Sequence, residues 1–170
     1  EIRTPINTII GLNEMILRQN ASPEINEDAE NIAAASKMLL HLINDILDMS
    51  KIECGKLMVT QDIFDITNLI EDFEMIIKPQ AEQRMINLTI ENNYKNKLFV
   101  GDQFRIHQVL MNLAANALKF TPFSGQIRVS IDEVEDEPDY SKIKFSVEDN
   151  GIGIKPENLK KIFESFEQAD

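Results

Sequence analysis

The sequence predicts an α+β protein: an N-terminal antiparallel helical hairpin that joins a second copy as a four-helix bundle, followed by an α/β sandwich of helices against a sheet. Three observations carry this. As far as Ser50 the apolar residues recur at three- and four-residue spacing, the period of helices buried on one side. Gly55 interrupts that period, as a glycine past a helix end often does. Beyond it, alternating and helical stretches are interleaved in a mixed order, which suits helices layered on one sheet rather than a doubly wound fold.

From Pro5 to Arg18 the residues Ile6, Ile9, Ile10, Leu12, Ile16 and Leu17 mark the first helix, with Thr4 as N-cap and Pro5 in the first turn. Gln19 to Pro23 reads as a polar turn in which Ser22 or a neighbour caps the second helix. There Ala29, Ala33, Ser36, Leu40, Ile43 and Leu47 step by four and three, and Ile32, Leu39, Leu42 and Ile46 widen the stripe. A stripe that broad exceeds what one neighbouring helix covers. A homodimer through the two N-terminal helices is therefore expected; the alternative is that both helices pack on the following domain.

After Gly55, Lys56–Ile63 alternates loosely like a strand, Thr67–Arg84 reads as a helix, and Ile86–Glu91 and Leu98–Val100 as short strands. Asp102 caps a helix running to Phe120, with Val109, Leu110, Leu113, Ala114 and Ala117 expected in the core. Gln126–Val134 and Ile143–Val147 are strands around an acidic turn at Asp136–Asp139, and Pro156–Glu164 is a short helix. The expected domains are residues 1–54 and 55–170.

With 29 acidic against 17 basic residues and a formal net charge of −12, the surface is not built to neutralise nucleic-acid phosphates or to contact anionic lipid. A single cysteine, Cys54, forms no internal disulfide, and no spaced Cys/His set suits structural zinc. A reducing, cytoplasmic setting fits. No run is apolar enough to span a membrane, so any inner-membrane anchor of a parent protein is expected to lie outside this chain. The chain opens without methionine inside a helical pattern, which suggests a piece of something longer.

Two stretches carry chemistry. Asp149-Asn150-Gly151-Ile152-Gly153 follows a strand; its glycines allow close approach of a ligand, and a carboxylate at a strand end can accept from an exocyclic amine. Alone, such a turn is more often a plain loop. On the helix before it, Gln108, Asn112, Asn116 and Lys119 share one face. That face is either simply solvated or suited to a phosphate tail with magnesium, since amide oxygens are hard ligands and lysine a point donor.

Together these stretches reveal a resemblance. Gln108 to Thr121 closely resembles the N-box of sensor histidine kinases, whose ATP-binding domain is of the GHKL (Bergerat) ATPase type. Val147 to Ile154 is similar to their first glycine box, Ile162 to Asp170 to their F-box, and Glu1-Ile2-Arg3-Thr4-Pro5 to their phosphoacceptor box without its first residue. The resemblance implies that Asp149 receives the adenine amino group, Asn116 ligates Mg2+, Asn112 and Lys119 lie near the phosphates of ATP, and Gly151 and Gly153 shape the pocket mouth. It implies that Phe163 and Phe166 anchor a lid, that Glu1 accepts the imidazole proton, and that Thr4 orients a water for dephosphorylation. Pro5 would then lie inside a longer helix. A response-regulator receiver domain is the implied partner, and the final Phe-Glu-Gln-Ala-Asp resembles hybrid kinases more than simple ones.

The departures are equally specific. The acceptor histidine would precede Glu1, the second glycine box would follow Asp170, and neither His41 nor His107 matches an acceptor motif. The chain alone is therefore expected not to autophosphorylate. A GHKL-type ATPase would need a carboxylate where Asn112 stands, and an amide is no general base. A catalytically inert nucleotide-binding dimer scaffold is the third reading.

Overall fold

In the computed structural model, which describes residues 3–18, 22–137 and 140–159, the chain divides into two units, Glu1–Met58 and Val59–Asp170. The first is a hairpin of α1 (Arg3–Arg18) and α2 (Pro23–Glu53). Its seam follows the periodicity: Ile6, Ala29 and Ser36 are buried, and Ile10, Leu17, Ala33, Leu40 and Ile43 half-buried. Midway along the α1 seam stands a buried amide, Asn13, whose Nδ2 donates to the carbonyl of Ala29. The residues that widened the stripe, Ile32, Leu39, Leu42 and Ile46, are each about half exposed, at 48 to 52%.

Ser22 caps α2 by accepting from the Ile25 N–H, and Pro23 opens it. At its other end Gly55 takes φ +63°, the left-handed conformation that lets the Lys56 N–H return to the Lys51 carbonyl. The cap expected at Thr4 is not one. Helical backbone already includes Arg3, so Thr4 and Pro5 both lie within α1, and the Thr4 carbonyl accepts from the Thr8 hydroxyl one turn on.

The second unit comprises β1 (Asp62–Asp65), α3 (Ile66–Gln83), β2 (Asn87–Asn93), β3 (Leu98–Gly101), α4 (Gln103–Phe120), β4 (Gln126–Glu137), β5 (Tyr140–Asp149) and a single 3-10 turn at Pro156–Asn158. β1 and β3 form an antiparallel pair; β2, β4 and β5 form a sheet in that order, β2 parallel and β5 antiparallel to the central β4. Along β4, Ile127, Val129 and Ile131 alternate inward and meet Leu69, Phe73 and Ile77 of α3 and Leu110, Ala114 and Ala117 of α4. The fold is thus α+β, a helical N-terminal region followed by a mixed helix-and-sheet domain.

Four local expectations change. The first strand runs over 62–65 rather than 56–63, because the Thr60 N–H is taken by the Asp102 carboxylate instead of a neighbouring strand. β4 and β5 extend into the supposed acidic turn, past a bulge between Glu133 and Glu135. On α4, Val109 and Leu113 are 59% and 44% exposed. The buried stripe of Leu110, Ala114, Ala117 and Leu118 is narrow, and these two lie between it and the amide face. Of the helix expected over Pro156–Glu164, the described start is a 3-10 turn at Pro156–Asn158, and positions from 160 on, including Phe163 and Phe166, lie outside the described residues.

Candidate nucleotide site

α4 begins where Asp102 accepts from the Arg105 N–H as N-cap and, through its second oxygen, from the Thr60 N–H. Those two N–H groups, Thr60 first, hold the Asp102 carboxyl below its ordinary range. The helix then carries Asn112, Asn116 and Lys119 outward, all exposed; Gln108 is half-buried and its Oε1 accepts from the Arg105 guanidinium. The Lys119 ammonium sits over the Phe120 ring, 5.0 Å from its centre.

At the C-terminus of α4 the chain meets the end of β5. A Cβ placed on Gly151 would fall 2.5 Å from the Phe120 carbonyl oxygen and 2.6 Å from Asp149 Oδ1, so only glycine fits where the turn crosses the helix end. The Gly151 N–H donates to Asp149 Oδ1 at 2.8 Å, which fixes one carboxylate oxygen and leaves Oδ2 for another donor. Gly153, at φ +69°, turns the chain away from the strand. Asp149 is exposed, Gly151 half-buried and Ile152 82% exposed.

A second layer beneath this junction was not visible as motif. Asn150 Oδ1 accepts from the Gln126 N–H at 2.8 Å, and the Asn150 N–H donates to the Gln126 carbonyl at 3.2 Å. Arg84 Nη2 donates to the Thr121 carbonyl, while the Arg84 carbonyl accepts from the Ser124 N–H. Gly125 is held between them; a Cβ there would meet Thr121 Cγ2 at 2.3 Å and Asn150 Oδ1 at 2.8 Å. The only sequence signal for this layer was Gly125 itself, between Ser124 and a strand.

The structure therefore brings Gly151 against the Phe120 carbonyl at the end of α4, with the Asp149 carboxylate bonded to the Gly151 N–H. Asn116 and Asn112 continue along the same helix toward its N-terminus, without a described contact to Asp149. Thr4 is exposed and belongs to the hairpin unit; Glu1 lies outside the described residues. His107 is half-buried, with its Nε2 unpartnered.

Two concavities occur elsewhere, one of about 650 Å³ lined by Asn96, Phe99, Asp136, Glu137 and Tyr140, and one of about 320 Å³ on α3 lined by Glu71, Glu74, Lys78 and Glu82, with Lys78 paired to Glu74. Their carboxylates oppose an anionic ligand. The α4 face offers a lysine and amides, and the helix carries no carboxylate.

The stretches that carry these residues match known families. Residues 101–170 match the family model of histidine kinase-, DNA gyrase B- and HSP90-like ATPases, and residues 1–55 match that of the His Kinase A (phospho-acceptor) domain. The chain belongs to the sensor histidine kinases. Over its whole length it is 38% identical to hybrid signal transduction histidine kinase K of Dictyostelium discoideum and 34% identical to the autoinducer 2 sensor kinase/phosphatase LuxQ of Vibrio cholerae, covering 15% and 20% of those proteins. Among solved structures it resembles full-length ShkA in complex with AMPPNP, with a TM-score of 0.79 and 26% identity, over 100% of this chain and 36% of that one. It also resembles the histidine kinase ThkA in complex with the response regulator TrrA, with a TM-score of 0.63 and 25% identity, over 99% of this chain and 48% of that one. Among the described residues no helix is long and apolar enough to cross a membrane.

The donor set suits a metal brought in with phosphates. No cluster of three or more His, Cys, Asp or Glu side chains that could hold an ion exists among the described residues. Magnesium commonly needs only one or two protein oxygens beside phosphates and water, and the exposed amide of Asn116 can be one.

Proposed function

We propose that this chain binds ATP with magnesium at the junction of α4 and the Asp149–Gly153 turn. We infer further that the protein containing it phosphorylates a histidine of its hairpin domain and passes the phosphoryl group to an aspartate of a response-regulator receiver domain. One observation carries the reading: Gly151 lies against the Phe120 carbonyl, so a carboxylate with one free oxygen stands beside a helix end whose outer face bears Lys119, Asn116 and Asn112.

In this reading Asp149 Oδ2 accepts from the adenine amine, Lys119 and Asn112 contact the phosphates, and Asn116 supplies an oxygen to the metal. Gly151 and Gly153 keep the mouth of the site open, and Phe163 and Phe166 anchor a lid. Magnesium, when bound, neutralises charge on the phosphates. The protein's own part is mainly positioning, because the γ-phosphoryl passes from the ADP oxygen to an imidazole nitrogen with little further covalent work. Glu1 is assigned the imidazole proton, and Thr4 the orientation of water in the reverse reaction. The half-exposed Leu39, Leu42 and Ile46 support a homodimer through the hairpin, since a second copy of the same face would cover them.

The test is incubation of the whole protein with ATP labelled on its γ-phosphate. Acid-labile label is expected, lost in Asp149→Asn and Asn116→Ala and retained in His41→Gln and His107→Gln. Label that survives both site substitutions, or that disappears with either histidine, contradicts the proposal.

A further inference from the structure

We propose that Asn150 is a positioning residue for base recognition: its side chain fixes the turn that aims the free oxygen of Asp149. This rests on the nucleotide reading above and adds a residue which that reading does not use. Asp149 is the last residue of β5 and pairs across to Ile127, so the strand ladder fixes its backbone on one side only. Past the end of the ladder, Asn150 brackets a single residue of the same partner strand, β4, accepting the Gln126 N–H with Oδ1 and donating its own N–H to the Gln126 carbonyl. Side chain and backbone together make a two-point clamp, closed one residue beyond the ladder.

The clamp stands on fixed ground. The Gly125 carbonyl accepts from the Asn87 N–H at the start of β2, and Arg84 ties down the Thr121–Ser124 turn from both its guanidinium and its carbonyl. The missing side chain of Gly125 is what makes room for the Asn150 amide, since a Cβ there would lie 2.8 Å from Oδ1. With Asn150 held, the Gly151 N–H is delivered to Asp149 Oδ1 and Gly151 is seated on Phe120. Oδ1 is thereby occupied and Oδ2 is the one presented. Without the Gln126 bond the backbone at 150 gains freedom, and the carboxylate loses the preset direction that makes one hydrogen bond effective.

The readout is the ratio of affinities for ATP and for purine riboside triphosphate, which lacks the exocyclic amine and shares every phosphate. Asn150→Ala is expected to lower this ratio about two- to tenfold, the range of one neutral hydrogen bond, while leaving affinity for the amine-free nucleotide unchanged. A merely structural role would weaken both nucleotides together. Asn150→Asp keeps the acceptor oxygen and is expected to keep the ratio. In the unsubstituted protein, the Gln126 amide proton is expected to exchange slowly.

A well-folded Asn150→Ala with an unchanged ratio overturns the proposal, as does a freely exchanging Gln126 amide, which needs no variant at all. Asp149→Asn separates the levels. If it leaves the ratio unchanged, the reading of the base site fails and this inference with it; if it collapses the ratio while Asn150→Ala does not, only the role of Asn150 fails.

Discussion

The hairpin and the sandwich treat similar apolar residues in opposite ways. In the sandwich, Leu69, Phe73 and Val129 are 0% exposed, enclosed by two helices and a sheet. In the hairpin, Leu39, Leu42 and Ile46 stay 48 to 52% exposed, because two helices have one seam and these residues lie off it. The layered unit completes its own core, whereas the hairpin leaves a face that only another surface can cover.

The largest effect that would break this contrast is in the hairpin. Leu42→Asp with Ile46→Asp is expected to convert dimers to monomers by light scattering, because an unpaired charge at a covered face costs about 3–5 kcal/mol. Melting of the sandwich should be unchanged. A monomeric parent chain at high concentration would remove the need for a partner. Within the sandwich, Phe73→Ala should cost about 3–5 kcal/mol of stability, at every protein concentration, as read by denaturant unfolding.

Smaller effects sharpen the picture at the site end of the sandwich. Gly151→Ala forces a methyl to within 2.5 Å of the Phe120 carbonyl oxygen. Overpacking of this kind costs about 1–3 kcal/mol, and nucleotide affinity should fall with it. The smallest is a pH effect at Asp102. Its folded pKa is depressed, so its contribution to stability is full above its ordinary value of 3.8 and is lost as pH falls through the lower folded value. Asp132, bonded by Asn93 and Ser130, and Glu133, bonded chiefly by the Lys95 N–H, act in the same direction. Asp102→Ala should lower the melting temperature at neutral pH and flatten its fall in acid.

Much of this was legible in the sequence because periodicity reports which face is buried. The stripe on α2 separated into seam and surplus as far as Ile43, whereas Leu47, expected in the seam, is 44% exposed; the Asp102 cap and the strand ending at Asp149 stand where the residues indicated. What stayed hidden depends on contacts remote in sequence. Nothing local shows that Asp102 takes the Thr60 N–H and so displaces a strand, or that Arg84 reaches Thr121. Asn13 breaks an apolar pattern, yet only the facing Ala29 carbonyl explains its burial. Val109 and Leu113 misled because apolar character was taken for burial on a helix whose contact stripe is narrow.

The central claim, that one end of the sandwich reads a base and the neighbouring helix face holds a metal and phosphates, is tested most directly by calorimetric titration of ADP and adenosine with and without magnesium. Asp149→Asn should weaken both ligands by about 1.5–3 kcal/mol, the worth of a hydrogen bond to a charged group, and magnesium should not restore it. Asn116→Ala should remove mainly the magnesium-dependent part of ADP binding and leave adenosine unaffected. If both substitutions abolish the magnesium dependence equally, or if neither changes binding, that division of the site is wrong.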